Sequence, residues 1–305
     1  MSDNFFISLR NDAGQGQPGI EVGPAAYIQF GADDPSYNLN ARIDPQKWLD
    51  AIPGTNILVF VHGFGNLAGD VVSRHKSIKG NLPGGVTLVS FDWPSGDKTF
   101  MAYQHDKNNA KLTAANLMTD CLQLLLKKFK PANIHLFAHS MGAYVTENAF
   151  QSSQPLKINH VLMAAADVDR KNYQAGSALL ANFLGKCADL TAYVSADDQA
   201  LQESEKLPIN KGAVPLGLKG FPDATVPGAC WGIECTKYYE AFPSQFDPKP
   251  VPPGEFSHVW YILYKPVPPP RNDFYVDMGT ALQGLSKAPT RATTSDPRAF
   301  VLQRP

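Results

Sequence analysis

The sequence predicts an α/β fold, with a mostly parallel central sheet covered by helices on both faces. Three observations predict it. Apolar strand-like runs alternate with helix-like stretches from Asn56 to Ser195, the pattern of parallel strands joined by helical crossovers. The runs Asn56–Val61 and Ile158–Ala164 are nearly continuous in apolar residues, as strands buried on both faces are. A third run, from Asn133, ends in small residues around Ser140 and passes at once into a helix-like stretch.

The elements follow in order. Strands at Phe5–Leu9 and Ala25–Phe30 flank Gly14-Gln-Gly16-Gln-Pro-Gly19. The glycine spacing matches a dinucleotide fingerprint, but Pro18 and the β-type residues after it offer no helix start to hold a pyrophosphate. A hairpin loop is expected instead. Asn56–Val61 ends in His62-Gly63-Phe64-Gly65-Asn66, and a helix-compatible stretch runs from Leu67 to Lys79. Val86–Phe91 is the next strand, followed by Asp92-Trp93-Pro94-Ser95. A helix is predicted over about Asn108 to Lys130, because Ala114, Met118, Cys121, Leu122, Leu125 and Phe129 form one stripe at three- and four-residue steps. Lys127, Lys128 and Lys130 suit its C-terminal end, and Pro131 stops it. After the Ser140 turn come a helix from Gly142, the strand Ile158–Ala164, a helix over about Tyr173 to Cys187, and the strand Leu190–Ser195.

From about Leu207 the regularity fails. Residues 1–285 read as one domain whose region of about 207–270 is irregular, rich in Pro and Gly, and expected on the substrate side. Within it Cys230–Tyr238 reads as a last strand. Asp277–Leu285 reads as a short helix, and 286–305 as a loose tail.

Composition bounds the function. The chain has 305 residues, 44% hydrophobic and 18% charged, with a net charge of −1, which fits a soluble globular protein. Without a basic block it is not expected to bind nucleic acid. No apolar run is long enough for an integral membrane segment. Met1–Arg10 is not a secretory signal, so the sequence reads as cytoplasmic. Four cysteines without a Cys-x-x-Cys pair argue against a zinc or thioredoxin-type site. Cys121 reads as core. Cys230 and Cys235, five apart on a straight strand, would point to opposite faces and remain free thiols. Nothing in the sequence fixes the oligomeric state.

The chemistry centres on Ala138-His139-Ser140-Met141-Gly142. A strand, a sharp turn with an exposed serine and a helix make a nucleophile elbow. Its neighbours must be small so that strand and helix can approach. Ala138 stands where the usual pattern has Gly, and still meets that demand. A serine hydroxyl needs a base, a group to orient the base, and N–H donors where the carbonyl oxygen gains charge. The donors expected are the N–H groups of Met141, after the serine, and Phe64, in the loop ending the apolar strand at Val61. The base should follow the serine in sequence. Only His160 and His258 do so. His160 opens a strand, at the wrong sheet edge, which leaves His258. His139 is expected to pack or to make a supporting hydrogen bond. For the acid, Asp198 is favoured, with Asp197 and then Asp167 as alternatives. Asp169 is better placed to cap a turn.

Together Ala138-His-Ser-Met-Gly142, His62-Gly-Phe64, Phe91-Asp-Trp-Pro-Ser95 and Ser195-Ala-Asp-Asp-Gln-Ala-Leu201 resemble the α/β-hydrolase superfamily. Within it the chain is similar to a bacterial esterase/lipase-like group. The resemblance covers about residues 56–285. It implies the α/β-hydrolase fold and a serine enzyme that hydrolyses small-molecule carboxylic esters through an acyl-enzyme, with no cofactor or metal. Phe64, Trp93 and Met141 are expected to make the acyl side apolar. Trp231, Tyr238, Tyr239, Phe242, Trp260 and Tyr261 read first as core aromatics and alternatively as an alcohol-side lining. Two other functions share these residues: an amidase, peptidase or acyltransferase using the same triad, and a non-catalytic binding protein on a hydrolase fold.

Overall fold

One sheet organises the chain in the computed structural model, which describes residues 3–96, 99–222, 228–241, 257–262, 273–283, 290–296 and 299–302. The elements in chain order are β1 (Asn4–Asp12), β2 (Pro18–Phe30), β3 (Arg42–Ile43), α1 (Pro45–Ala51), β4 (Asn56–Val61), α2 (Ala68–Asn81), β5 (Val86–Asp92), α3 (Phe100–Asn116), β6 (Ile134–His139), α4 (Gly142–Phe150), β7 (Ile158–Ala164), α5 (Ala178–Lys186), β8 (Cys187–Val194), α6 (Gln199–Lys206), β9 (Cys230–Glu234), α7 (Thr236–Ala241), α8 (Asp273–Leu282), β10 (Arg291–Thr293) and β11 (Ala299–Leu302). The strand order is β10-β11-β9-β8-β7-β6-β4-β5-β1-β2-β3. Neighbours from β1 through β5, β4, β6, β7, β8 and β9 to β11 are parallel. The edge pairs β1–β2, β2–β3 and β10–β11 are antiparallel.

Both faces of the sheet are covered, as the continuous apolar runs predict. Ile57, Val59 and Val61 of β4 join one buried cluster, while Leu58 and Phe60 join another. Neighbouring side chains of a strand point to opposite faces, so the two clusters lie on the two sides. Cys230 belongs to the first and Cys235 to the second. All four cysteines are free and buried. Among the described residues no helix is long and apolar enough to cross a membrane.

The Gly14–Gly19 segment joins the antiparallel strands β1 and β2 as a hairpin, with Asp12 opposite Pro18. Four expectations are corrected. The tail is not loose throughout, because β10 and β11 within it extend the sheet. Their buried residues Phe300 and Leu302 complete the second cluster, and the Arg291 guanidinium binds Asp277 at 2.7 Å. Three- and four-residue strands carry too little alternation to stand out in a sequence. The helix expected from Asn108 starts at Phe100, capped by Thr99, whose hydroxyl accepts from the Ala102 N–H. It runs on through a π-helical stretch, Leu117–Leu122, to Leu126. At its end Lys128 reaches a neighbouring helix. Its ammonium donates to the carbonyls of Leu49, Asp50 and Ile52 at the end of α1. The strand expected over Cys230–Tyr238 stops at Glu234, whose carboxylate accepts from the Thr236 N–H and starts α7. The helix expected from Tyr173 starts at Ala178, capped by Ser177. Helix α1 has a signal readable in the sequence. Asp44 caps it through the N–H groups of Gln46 and Lys47, and Pro45 opens it. The Pro-rich segments 242–256 and 263–270 lie outside the described residues.

Candidate active site

The carboxyl ends of β4, β6, β7 and β8 carry the candidate groups, at the edge where parallel sheets place their sites. Ser140 follows β6 directly and has φ of 56°, a left-handed conformation that costs a non-glycine residue about 1–2 kcal/mol. The fold holds it there. The Ser140 N–H donates to the Ala164 carbonyl at 3.1 Å, and its own carbonyl accepts from the N–H groups of Ala143 and Asp167. Gly142 is sterically required. A Cβ on it would come within 2.2 Å of the Val61 carbonyl oxygen and 2.6 Å of that of His62. Ala138, two residues before Ser140 and in register between Val61 and Met163, is fully buried with its methyl accommodated.

The loop after β4 lies against the serine. A Cβ on Gly63 would come within 2.7 Å of the Ser140 Cβ. Beneath this loop is a buried ionic network absent from the sequence reading. Arg10 of β1 donates to Asp92 of β5 at 2.9 and 3.0 Å, to the Ser95 and Asn66 carbonyls at 2.7 Å each, and to the Gly19 carbonyl at 3.1 Å. Asp92 also meets His62 Nε2 at 3.0 Å and accepts from the Tyr37 hydroxyl. Burial alone would raise the Asp92 pKa. The Arg10 charge and the His62 hydrogen bond outweigh it and hold Asp92 well below the usual carboxylate range. The one signal in the sequence was an arginine ending the apolar run Phe5-Phe-Ile-Ser-Leu9. Its partner lies more than eighty residues away, beyond the reach of local pattern.

His258 lies in a helical turn over residues 257–259. Its Nδ1 meets the two Asp198 carboxylate oxygens at 2.8 and 3.0 Å. Asp198 is fully buried and also caps α6, accepting from the Leu201 N–H at 3.0 Å. Burial pulls the His258 pKa down, but the charge and hydrogen bond of Asp198 prevail and raise it above the ordinary histidine value. His139 supplies a support. Its Nε2 donates to the His258 carbonyl at 2.9 Å, and burial followed by the nearby His258 keeps its pKa well below the ordinary value. The elbow and the histidine turn are thereby tied together.

The other candidates have other partners. Asp197 is only partly buried, and Asp198 makes the carboxylate contacts to His258 Nδ1. Asp167 accepts from the Tyr103 hydroxyl at 2.7 Å and from the Ser204 hydroxyl at 2.8 Å. Asn210 donates to both of those hydroxyls at 2.9 Å. Asp169 caps the turn Arg170–Tyr173. His160 stacks on His135 at 5.3 Å within the sheet.

A cavity of about 440 Å³ brings the serine and the histidine together. Ser140, His258, Gly63, Phe64, Tyr103 and Asp167 line it, with Leu201, Leu207 and Val259 supplying apolar wall. Among the described residues no hydrogen bond links Ser140 Oγ to the His258 ring, and neither the Met141 nor the Phe64 N–H donates to a backbone carbonyl of the described residues. Met141 and Trp93, expected on the acyl side, are fully buried in the core and do not line the cavity. Trp93 stacks on His62 at 5.1 Å. Tyr103, packed edge-on against Phe64 at 5.3 Å, is the aromatic that sequence reasoning missed. Trp260, Tyr261 and Tyr238 are core residues, with Trp231 and Tyr239 packed against the same cluster. Phe242 lies outside the described residues.

Solved structures similar to this chain include an esterase/lipase from an uncultured bacterium, 11% identical over 93% of this chain and 85% of that one, with a TM-score of 0.42. A hormone-sensitive-lipase homologue, EstE7, from a metagenome library is 16% identical over 93% of this chain and 86% of that one, with a TM-score of 0.38. RedJ with a PEG molecule bound in its active site is 17% identical over 50% of this chain and 71% of that one, with a TM-score of 0.29. No curated protein matches. The family model described as "Alpha/beta hydrolase of unknown function (DUF900)" matches residues 41–218, more than half of the chain and the whole run from β4 to the end of α6, so the protein belongs to this α/β hydrolase family.

Proposed function

We propose that the protein is a serine hydrolase that cleaves carboxylic esters through an acyl-enzyme on Ser140. The observation that carries this reading is His258, anchored through Nδ1 on Asp198 and lining the same cavity as a strained Ser140. With Nδ1 committed to Asp198, Nε2 is the nitrogen available as base. It takes the Ser140 proton as Oγ attacks the ester carbonyl. The N–H groups of Met141 and Phe64 hold the oxyanion of the tetrahedral intermediate. His258 then gives its proton to the leaving alkoxide, and the alcohol departs. A water, deprotonated by His258, attacks the acyl-enzyme, and as the acid departs His258 returns the proton to Ser140 Oγ. Asp198 stays ionised throughout and stabilises the imidazolium.

The apolar wall of Phe64, Leu201, Leu207 and Val259 favours a moderately apolar acyl group. A series of p-nitrophenyl esters of increasing acyl length tests the reading. Each buried methylene is worth about 0.8 kcal/mol, so kcat/KM is expected to rise roughly fourfold per carbon until the cavity is full, and then to fall. No hydrolysis at any length would contradict the proposed activity.

A further inference from the structure

The loop His62-Gly63-Phe64-Gly65-Asn66 sets two glycines around Phe64. Gly65 has φ of 66°. Backbone this permissive does not by itself fix which way a peptide plane faces. The hydrogen bonds do. Asn66 Nδ2 donates to the Gly63 carbonyl at 2.8 Å and to the Phe64 carbonyl at 2.8 Å. His62 Nδ1 lies 2.9 Å from the same Gly63 oxygen. Asn66 and His62 are fully buried, and neither lines the cavity, whereas Gly63 and Phe64 do.

In a trans peptide the N–H points opposite to the preceding C=O. Holding the Gly63 oxygen on the buried side therefore turns the Phe64 N–H towards the cavity wall. We propose that Asn66 is a positioning residue that locks the Gly63–Phe64 peptide with its N–H aimed at the substrate oxyanion. The inference rests on the reading of Ser140 as nucleophile. Both contacts made by this side chain on the loop are to carbonyl oxygens, so its NH2 group must face them. Its Oδ1 has no partner among the described residues. A buried unpartnered acceptor is a cost that an apolar side chain of similar size would avoid, so packing alone does not account for an asparagine here. Asn66 is itself fastened. Its carbonyl accepts from Arg10 at 2.7 Å, and its N–H donates to the Ser95 hydroxyl at 3.2 Å.

The test compares Asn66→Ala and Asn66→Asp with wild type on the best p-nitrophenyl ester. Asp turns a carboxylate oxygen on two carbonyl oxygens at nearly unchanged volume. Loss of one oxyanion donor lowers kcat about a hundred- to a thousandfold. Asn66→Asp is expected to approach about a hundredfold, Asn66→Ala to lose somewhat less, and KM to stay within about twofold in both. Inhibition by a boronic acid, which forms a tetrahedral adduct, should weaken in parallel, while inhibition by the free alcohol should not. Ser140→Ala, run alongside, tests the nucleophile separately. If it is inactive while both Asn66 variants keep wild-type kcat, the proposal is overturned and the serine reading stands. An activity-independent readout is the Phe64 backbone amide in 15N–1H spectra. It should give one sharp signal in wild type and a broadened or doubled one in Asn66→Ala. An unchanged signal overturns the proposal even if no ester is hydrolysed. Should neither variant fold, the wild-type Asn66 side-chain amide protons are expected to exchange slowly with solvent, and rapid exchange overturns the proposal.

Discussion

Ser140→Ala is expected to lower kcat on a p-nitrophenyl ester by about a millionfold, as removal of a triad nucleophile does elsewhere. The reason is local. The left-handed φ of 56° presents the residue at the turn, and only the hydroxyl is removed. The elbow keeps its hydrogen bonds from Ala143 and Asp167 to the Ser140 carbonyl, and to Ala164 from the Ser140 N–H, because all of them are backbone. The thermal midpoint should therefore stay close to that of wild type. A variant with wild-type turnover would mean that another group does the chemistry.

Asp198→Asn should lower kcat by about ten-thousandfold, with little loss of stability at pH values above the folded His258 pKa. Asparagine caps a helix as well as aspartate does, so the hydrogen bond from the Leu201 N–H to residue 198 survives. The charge facing His258 Nδ1 does not, and the amide NH2 favours the wrong tautomer. Asp197→Asn is the control, expected at near wild-type rate. The pH dependence has a definite sign. The base works neutral, so activity rises with pH through the His258 pKa, which burial lowers but Asp198 raises above its ordinary value. Removing the Asp198 charge moves the rising limb to lower pH as the plateau falls. The linkage with stability runs the same way. A raised histidine pKa contributes stability that is fully present below about pH 6.5, the unfolded value, and is lost as pH climbs through the folded one. Asp198→Asn should flatten that part of the stability profile, measured by thermal melts between about pH 5 and 9.

The legible parts of the fold and site were those written in local pattern. The continuous apolar runs gave β4 and β7. Small residues around Ser140 marked the elbow, because a strand and a helix can meet there only if the Gly142 position carries no Cβ. Spacing after the strand favours Asp198 over Asp197 as the acid, and it is the Asp198 carboxylate that meets His258 Nδ1. What stayed hidden depends on distance along the chain. Arg10 reaches Asp92, and Tyr103 reaches Asp167, across 82 and 64 residues. Trp93 and Met141 depart from the expected acyl-side lining because an aromatic or apolar residue beside a loop at the sheet edge has two faces to choose from, and here both turn to the core. The strands β10 and β11 were too short to show a period. Asn66 looked like an ordinary loop residue, since nothing in its type reveals that its amide meets two carbonyls.

A nucleophilic Ser140 activated by His258 can be trapped covalently, whatever its natural substrate. A fluorophosphonate incubated with the wild-type protein is expected to add one adduct by intact mass, mapped by peptide sequencing to Ser140. The Ser140→Ala variant should stay unlabelled, and His258→Ala should label far more slowly. Labelling at another residue, or an unmodified wild-type protein that still hydrolyses esters, would contradict the account.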